Sequence, residues 1–242
     1  MRLAVRLLLV MLILLGCTGG ETPETAQSEP AARGDSETTT PVADEIPSAD
    51  APEETTIPEE TTIEEEPMDY ENIVAEMETD KGTIVIGFFP NAAPNHVANF
   101  VDLSKEGFYT GTKFHRVIPG FMVQGGDPNT KSGPPSTWGT GGSGRHLDAE
   151  FNDISHRRGI LSMARSPGDP DSASSQFFIV VKDSGFLDKE YSVFGEVLSG
   201  MDVADAIVNA PRGAQDRPNE PVSISGITIR DATDHEKSAK TH

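Results

Sequence analysis

The sequence has one cysteine and little positive charge. Cys17 is the only thiol among 242 residues, so no disulfide can form within one chain. Lysine and arginine total 19 against 39 acidic residues, which gives a formal net charge of −20. Residues 72–242 carry −6 of this charge, since residues 1–17 carry +2 and residues 18–71 carry −16. Because phosphate recognition needs clustered positive charge, this mildly acidic part argues against nucleic acid as a partner. The six histidines show no HExxH or other ligand spacing, and we expect neither a metal nor a cofactor.

Long hydrophobic runs are also absent, apart from a short one near the N-terminus. Arg2 and Arg6 accompany the run LLLVMLILL, which is typical of a secretory signal and is too short to span a bilayer comfortably. Residues 14–17, LLGC, resemble the lipobox of bacterial lipoproteins, where the cysteine after the cleaved signal is lipidated. We therefore expect a signal peptide at 1–16 and a lipid anchor at Cys17, on the extracytoplasmic side of a bacterial membrane. The alternative is ordinary cleavage nearby with an idle cysteine.

Residues 17–71 are poor in apolar and aromatic side chains. Between residues 18 and 71 there are 17 acidic residues and one basic residue, Arg33, so this stretch carries most of the net charge. Such a segment cannot bury enough apolar surface to offset the entropy cost of ordering it. We predict a disordered acidic linker with a root-mean-square span of roughly 40 Å. It would hold the rest of the chain away from the membrane.

From residue 72 onward, short β-type runs alternate with turn residues. The runs at 73–79 and 83–89 flank Asp80-Lys81-Gly82, which is a hairpin signal. Apolar spacing predicts helices over 94–105 and 201–210, the second with a capping box from Ser199 to Asp202. Further β-type runs lie at 114–118, 121–125, 159–163, 177–181, 193–198 and 222–229. Many short strands predict a barrel or sandwich in a domain at 72–231, followed by a frayed polar tail at 232–242.

Four segments carry a resemblance to a known family. They are FHRVIPGFMVQGGD at 114–127, GILSMAR at 159–165, SSQFFIV at 174–180 and FLDKEYSVFGEV at 186–197. In this order and spacing they resemble the signature blocks of cyclophilins, which are peptidyl-prolyl cis/trans isomerases. The resemblance implies a mainly β fold, a closed eight-stranded antiparallel barrel capped by two α-helices. It also implies a proline-binding groove on the outer face of the barrel.

The resemblance further implies the residues of an active site. The implied catalytic residues are Arg116, Gln124 and Phe121. The Arg116 guanidinium would approach the prolyl nitrogen, and Gln124 would orient the Arg116 side chain. The implied substrate-binding residues are His115, Ile118, Met122, Ala164, Arg165, Ser166, Gln176, Phe178, Phe186, Leu187 and Tyr191. The apolar members would hold the proline ring, and the backbone at Arg165 would hold the substrate carbonyl. His115 is interpreted as a structural hydrogen-bonding residue rather than a proton carrier.

Three features depart from the family pattern. Phe186 stands where many members have tryptophan, which removes an indole N–H and predicts weak cyclosporin binding. Tyr191 replaces a histidine that is common in eukaryotic members, and isomerase activity should survive this change. The loop at 166–175, SPGDPDSASS, is longer than in familiar eukaryotic members, so we expect an altered groove beyond the proline.

The implied reaction explains what the sequence does not contain. Rotation about an X–Pro bond breaks no covalent bond, so it needs no nucleophile, metal or general acid–base pair. We expect a monomeric isomerase that assists the folding of exported proline-containing polypeptides. The alternative is a binding module that holds such segments with little turnover.

The string GTGGSG at 139–144 fits the G-x-G-x-x-G pattern of dinucleotide sites, but its flanking residues predict neither the required strand nor the required helix.

Overall fold

The structure, a computed structural model, describes residues 69–240. The predicted signal peptide, Cys17 and nearly all of the acidic linker lie outside the described residues. The elements in chain order are β1 (Ile73–Thr79), β2 (Gly82–Phe88), α1 (Pro94–Lys105), β3 (Arg116–Ile118), β4 (Met122–Gly125), α2 (Asn129–Ser132), β5 (Ile160–Met163), β6 (Phe177–Val180), β7 (Val193–Ser199), α3 (Met201–Val208), β8 (Ile224–Asp231) and α4 (Asp234–Ala239). Within residues 69–240, none of these helices has both the length and the apolar character needed to cross a membrane.

The predicted strands and the two predicted helices agree with the structure to within two residues at each end. The hairpin between β1 and β2 is confirmed, with Gly82 at a φ of 131° where the chain turns. The capping box predicted from Ser199 to Asp202 is wrong. The residue before α3 is Gly200, which has a φ of 89° and no side-chain cap. A Cβ there would lie 2.3 Å from the carbonyl oxygen of Thr83, so the close approach of β2 requires glycine.

All eight strands form one antiparallel sheet in the order β3-β4-β6-β5-β7-β2-β1-β8. The predicted mainly β fold with eight antiparallel strands is confirmed. The sheet curls, but its edge strands are not paired along their length as they would be in a closed barrel. The edge strands β3 and β8 are not joined by a continuous ladder. Instead, the backbone N–H groups of Gly111 and Phe114 donate to the carbonyls of Ile224 and Val222 at 2.8 and 3.0 Å. The two longer helices, α1 and α3, are those expected, and α2 and α4 are short additions.

The strands in the middle of the sheet are buried on both faces. On the inner face, α1 inserts Phe100, whose ring centroid lies 5.0–5.9 Å from those of Tyr109, Phe177, Phe194 and Phe88. Along β6, Phe177 and Ile179 join this interior, whereas Phe178 and Val180 pack in a second cluster on the outer face. Burial on both faces explains why the sequence of β6 is continuously apolar. The outer cluster forms the floor of the groove described below.

Both ends of the domain extend further than the sequence predicts. Tyr70 lies within the range predicted to be linker, but it packs against the main core. The prediction of a frayed tail is wrong for residues 234–239, which form α4 behind a capping box between Thr233 and Glu236. Arg230 donates to Glu236 and to Glu76 at 2.8 Å, and it lowers the pKa of Glu236 to about 2. These ion pairs attach the tail to the sheet.

Helix α1 is capped by a residue distant in sequence. Its N-cap residue, Ala93, offers no side-chain acceptor. Glu150 takes that place by accepting hydrogen bonds from the backbone N–H groups of Asn95 and His96, both at 3.0 Å, and from the His96 ring at 2.6 Å. Burial pushes the pKa of Glu150 upward, but these hydrogen bonds outweigh it and hold the pKa below its ordinary value. The carboxylate therefore stabilises the positive end of the helix.

Replacing this cap should destabilise the domain. We expect Glu150→Ala to lower the free energy of unfolding by about 1–3 kcal/mol at pH 7, because it leaves buried donors without an acceptor. Glu106→Ala is the matched control, since Glu106 makes an exposed pair with Arg145 and should cost about 0.5 kcal/mol or less. Urea denaturation of each variant measures the difference. Equal losses in the two variants would contradict this assignment.

The same variant should show a defined pH dependence. The folded pKa of Glu150 is lowered, so its contribution is complete above the pKa of the unfolded chain and is lost as the pH falls through the folded value. The stability difference between wild type and Glu150→Ala should therefore shrink in acid.

Candidate active site

A groove of about 790 Å³ lies on the outer face of the sheet, above the outer apolar cluster. Eleven of the residues implied by the resemblance line it: His115, Arg116, Phe121, Met122, Gln124, Ala164, Arg165, Phe178, Phe186, Leu187 and Tyr191. Ser166 and Gln176 line a neighbouring cavity of about 530 Å³, which shares Gln124, Ala164 and Arg165 with the groove. Ile118 lines neither cavity and packs against the cluster beneath.

Arg116 and Gln124 are placed side by side by strand register. They are directly opposite each other on β3 and β4, so their side chains share one face of the sheet. The Arg116 guanidinium donates to Gln124 Oε1 at 3.4 Å, and Gln124 Nε2 donates to Gln176 Oε1 at 2.9 Å. Gln176 Nε2 in turn donates to the carbonyl of Gly141 at 2.7 Å. This amide chain fixes which end of Gln124 faces the guanidinium.

The apolar part of the groove has a buried floor and an exposed rim. Met122, Phe178 and Leu187 are buried in the floor. Phe121 and Phe186 form the rim, with ring centroids 5.3 Å apart, and Phe186 remains 72% exposed. Aromatic and aliphatic walls of this kind suit a small apolar ring.

A buried histidine supports this pocket from behind. His156 stacks on Phe178 with a centroid distance of 6.1 Å, and its Nδ1 lies 2.9 Å from the Asp188 carboxylate. Its Nε2 lies 3.1 Å from Ser162 Oγ. Burial lowers the pKa of His156, and the hydrogen bond and charge of Asp188 only partly oppose this. The ring is therefore neutral at pH 7 and ties the loop carrying Leu187 to the pocket floor.

The Arg165 side chain is engaged away from the centre of the groove. Its Nε donates to the Glu190 carbonyl at 2.9 Å, and its guanidinium lies 4.8 Å from the centroid of the Tyr191 ring. Tyr191 also contacts Phe178 edge to face at 5.6 Å. Arg165 thus holds the Tyr191 ring in place at the side of the groove.

His115 is buried at the wall of the groove, and both ring nitrogens are shielded from solvent. The interpretation of His115 as a structural hydrogen-bonding residue stays a prediction. Burial lowers the pKa of His115, the charge of Asp127 and a hydrogen bond with the Lys113 backbone oppose this, and the charges of Arg116 and Arg217 add to the lowering. The ring is neutral and packs beneath the cations of the groove.

Sequence reasoning missed the residues that hold the opposite wall. The buried Asp127 carboxylate accepts hydrogen bonds from the backbone of Asn129, at 2.7 Å, and from the backbone of Gly139. A Cβ on Gly141 would lie 2.2 Å from Asp127 Oδ1, so this position requires glycine. The GTGGSG string lines the groove at Gly139 and Thr140 and the neighbouring cavity at Gly141. It follows a 3-10 turn at Pro135–Thr137 rather than a strand.

The sequence held partial signals for these residues. Asp127 ends the first motif, and Trp138, another lining residue, is the only tryptophan in the chain. Gln215, Asp216 and Arg217 also line the groove, but they lie outside every motif. Within residues 69–240 there is no group of three or more His, Cys, Asp or Glu side chains that could hold a metal ion.

Comparisons with known proteins agree with this geometry. The family model described as cyclophilin type peptidyl-prolyl cis-trans isomerase matches residues 74–229. A peptidyl-prolyl cis-trans isomerase of Acinetobacter baylyi is 42% identical over 168 residues, which cover 66% of this chain and 86% of that protein. Another, from Synechococcus elongatus, is 49% identical over 122 residues, covering 50% of this chain and 78% of that protein.

A solved structure shares the fold. The cyclophilin type isomerase of Cryptosporidium parvum, crystallised in the presence of the dipeptide Ala-Pro, has a TM-score of 0.60 and 33% identity, covering 66% of this chain and 99% of that one. The fold, the groove and the family model all lead to one assignment. The chain belongs to the cyclophilin family and is a peptidyl-prolyl cis-trans isomerase.

Proposed function

We propose that Arg116 is the principal catalytic residue and that it acts on the nitrogen of the substrate proline. As the X–Pro amide twists, this nitrogen loses conjugation and gains a lone pair, so a donor binds it more strongly in the transition state than in either ground state. The observation that supports this role is the chain from Arg116 through Gln124 and Gln176 to the Gly141 carbonyl. It presents an oriented guanidinium next to an apolar pocket.

The energies required are consistent with this mechanism. Reducing an isomerisation time of about 10–100 s to about a millisecond requires roughly 6–7 kcal/mol. A preorganised donor in a partly dry site supplies about 3–4 kcal/mol. The rest is assigned to the pocket of Phe121, Met122, Phe178 and Leu187, which would hold the proline ring while the preceding carbonyl rotates. The His156–Asp188 pair keeps that pocket in shape.

The catalytic role of Arg116 can be tested directly. We expect Arg116→Ala to lower kcat/KM for an Ala-Pro tetrapeptide by about 10²–10³-fold, because the donor to the twisted nitrogen is lost. Arg116→Lys should also be impaired, since a flexible ammonium cannot copy a planar fork held by Gln124. NMR exchange spectroscopy measures the rates without a coupling protease.

Arg145→Ala is the matched control, because Arg145 is an exposed arginine paired with Glu106 outside the groove. It should leave the rate unchanged. Equal rates for wild type and Arg116→Ala would refute the catalytic role. A wild-type rate no faster than the uncatalysed one would instead support the binding module with little turnover.

The cellular setting is a second part of the proposal. The signal-like N-terminus and Cys17 support attachment to the extracytoplasmic side of a bacterial membrane, with the acidic linker as a spacer. Exported polypeptides that contain proline would then be the substrates. The domain would act on them as a monomer.

Mass spectrometry of the mature N-terminus tests this setting. We expect a lipid-modified cysteine at position 17 in the membrane fraction and loss of membrane association in Cys17→Ala. An unmodified N-terminus at Cys17, or cleavage elsewhere, would contradict the lipoprotein proposal.

Cyclosporin should bind weakly because the exposed Phe186 ring carries no N–H donor. We expect Phe186→Trp to tighten binding by about three- to tenfold, the value of one restored neutral hydrogen bond. Fluorescence titration provides the measurement. Nanomolar inhibition of the wild type, with no gain in Phe186→Trp, would show that the missing indole is not the cause.

A further inference from the structure

The groove extends beyond the apolar pocket to an end that the proposed mechanism does not use. This end is lined by Ser136, Trp138, Gln215, Asp216 and Arg217. Its residues come from the loop after α2 and from the connection between α3 and β8. It therefore combines two segments that are far apart in sequence.

Trp138 forms a fixed aromatic surface at this end. Its indole N–H donates to the Gly133 carbonyl at 2.9 Å. The Arg217 guanidinium lies 5.4 Å from the ring centroid, and the Lys113 ammonium lies 5.5 Å from it. Stacking on an aromatic ring restricts a guanidinium and leaves its outer N–H groups available for a planar anion.

The charge of Arg217 is not neutralised within the described part of the chain. Five other arginines pair with carboxylates: Arg145 with Glu106, Arg158 with Asp205, Arg165 with Glu190, Arg212 with Asp216, and Arg230 with Glu76 and Glu236. Arg217 donates instead to the neutral Oε1 of Gln215 at 2.9 Å, and its Nε is buried without a partner. The adjacent acid, Asp216, is engaged by Arg212 at 3.3 Å.

The backbone that presents Arg217 is strained. Gln215 and Asp216 have φ values of 61° and 55°, in the left-handed region that non-glycine residues rarely adopt. The turn is held by a hydrogen bond from the Gly213 N–H to the Arg217 carbonyl at 2.8 Å. Strain of this kind persists where the surrounding structure enforces it, and it is found most often at binding sites.

We propose that Trp138 and Arg217 form a second recognition site, which binds a carboxylate side chain of the substrate near its proline. The guanidinium supplies a charge-assisted pair of N–H donors, and the indole packs against the methylene groups of the bound side chain. The proposal rests on the proposed function, because the proline must occupy the apolar pocket at the same time. The enzyme would thus prefer acidic proline-containing segments.

A peptide series tests this preference. Each peptide carries a central Ala-Pro bond with glutamate or glutamine at one of three positions on either side, and kcat/KM is measured by NMR exchange. We expect glutamate to exceed glutamine by about three- to tenfold at one or more positions, the value of a partly exposed charge-assisted pair. The ratio should decline as salt is added. In Arg217→Gln the ratio should approach one.

Three variants separate this pair from general electrostatics. Trp138→Leu should reduce the ratio, because the guanidinium loses its support while the charge remains. Arg217→Lys should give an intermediate ratio, since a point charge replaces the planar fork. Arg145→Gln removes one positive charge outside the groove and should leave the ratio at the wild-type value.

The outcomes distinguish this inference from the proposed function. A wild type that turns over the glutamine peptides but shows a ratio near one at every position overturns only the second site. If the ratio of kcat/KM for glutamate over glutamine peptides is the same in Arg217→Gln as in the wild type, the second site is likewise overturned and the proposed function is not. Absence of turnover on every peptide overturns both.

Discussion

The burial of β4 and β6 on both faces is the constraint on which the fold and the groove both depend. Phe177 completes the aromatic interior around Phe100, and the next residue, Phe178, points the opposite way into the groove floor. Strand β6 therefore contributes to the core and to the groove at once. A change of register by one residue would exchange the two faces, placing groove residues in the interior and core residues in the groove.

Next to this apolar frame, Arg116 is oriented by the dipoles of neutral amides. The amides of Gln124 and Gln176 transmit orientation from the Gly141 carbonyl to Arg116 without adding a carboxylate that would neutralise it. Buried His115 and His156 both have lowered pKa values and stay neutral at pH 7. An X–Pro rotation moves no proton, so neutral supports around a permanent cation suit the reaction.

The strands and α1 are predictable because local apolar spacing specifies them. The residues that line the groove follow from the resemblance carried by the four motifs, and the strand register brings them together. The Glu150 cap on α1, the Arg230–Glu236 pair and the His156–Asp188 pair are not predictable, because each joins residues whose proximity depends on the completed fold. The same holds for Trp138 and Arg217, which approach each other from separate connections.

The pairing of β1 with both β2 and β8 places the first and last strands of the domain side by side, with Ile73 opposite Asp231. Contacts between residues so far apart in sequence form at a cost in loop-closure entropy, and they slow the folding of β-rich domains. The sheet cannot be completed until the final strand is available, so a partly synthesised chain would leave one side of β1 without its backbone partners. A peptidyl-prolyl isomerase is thus itself dependent on the last part of its chain to finish folding.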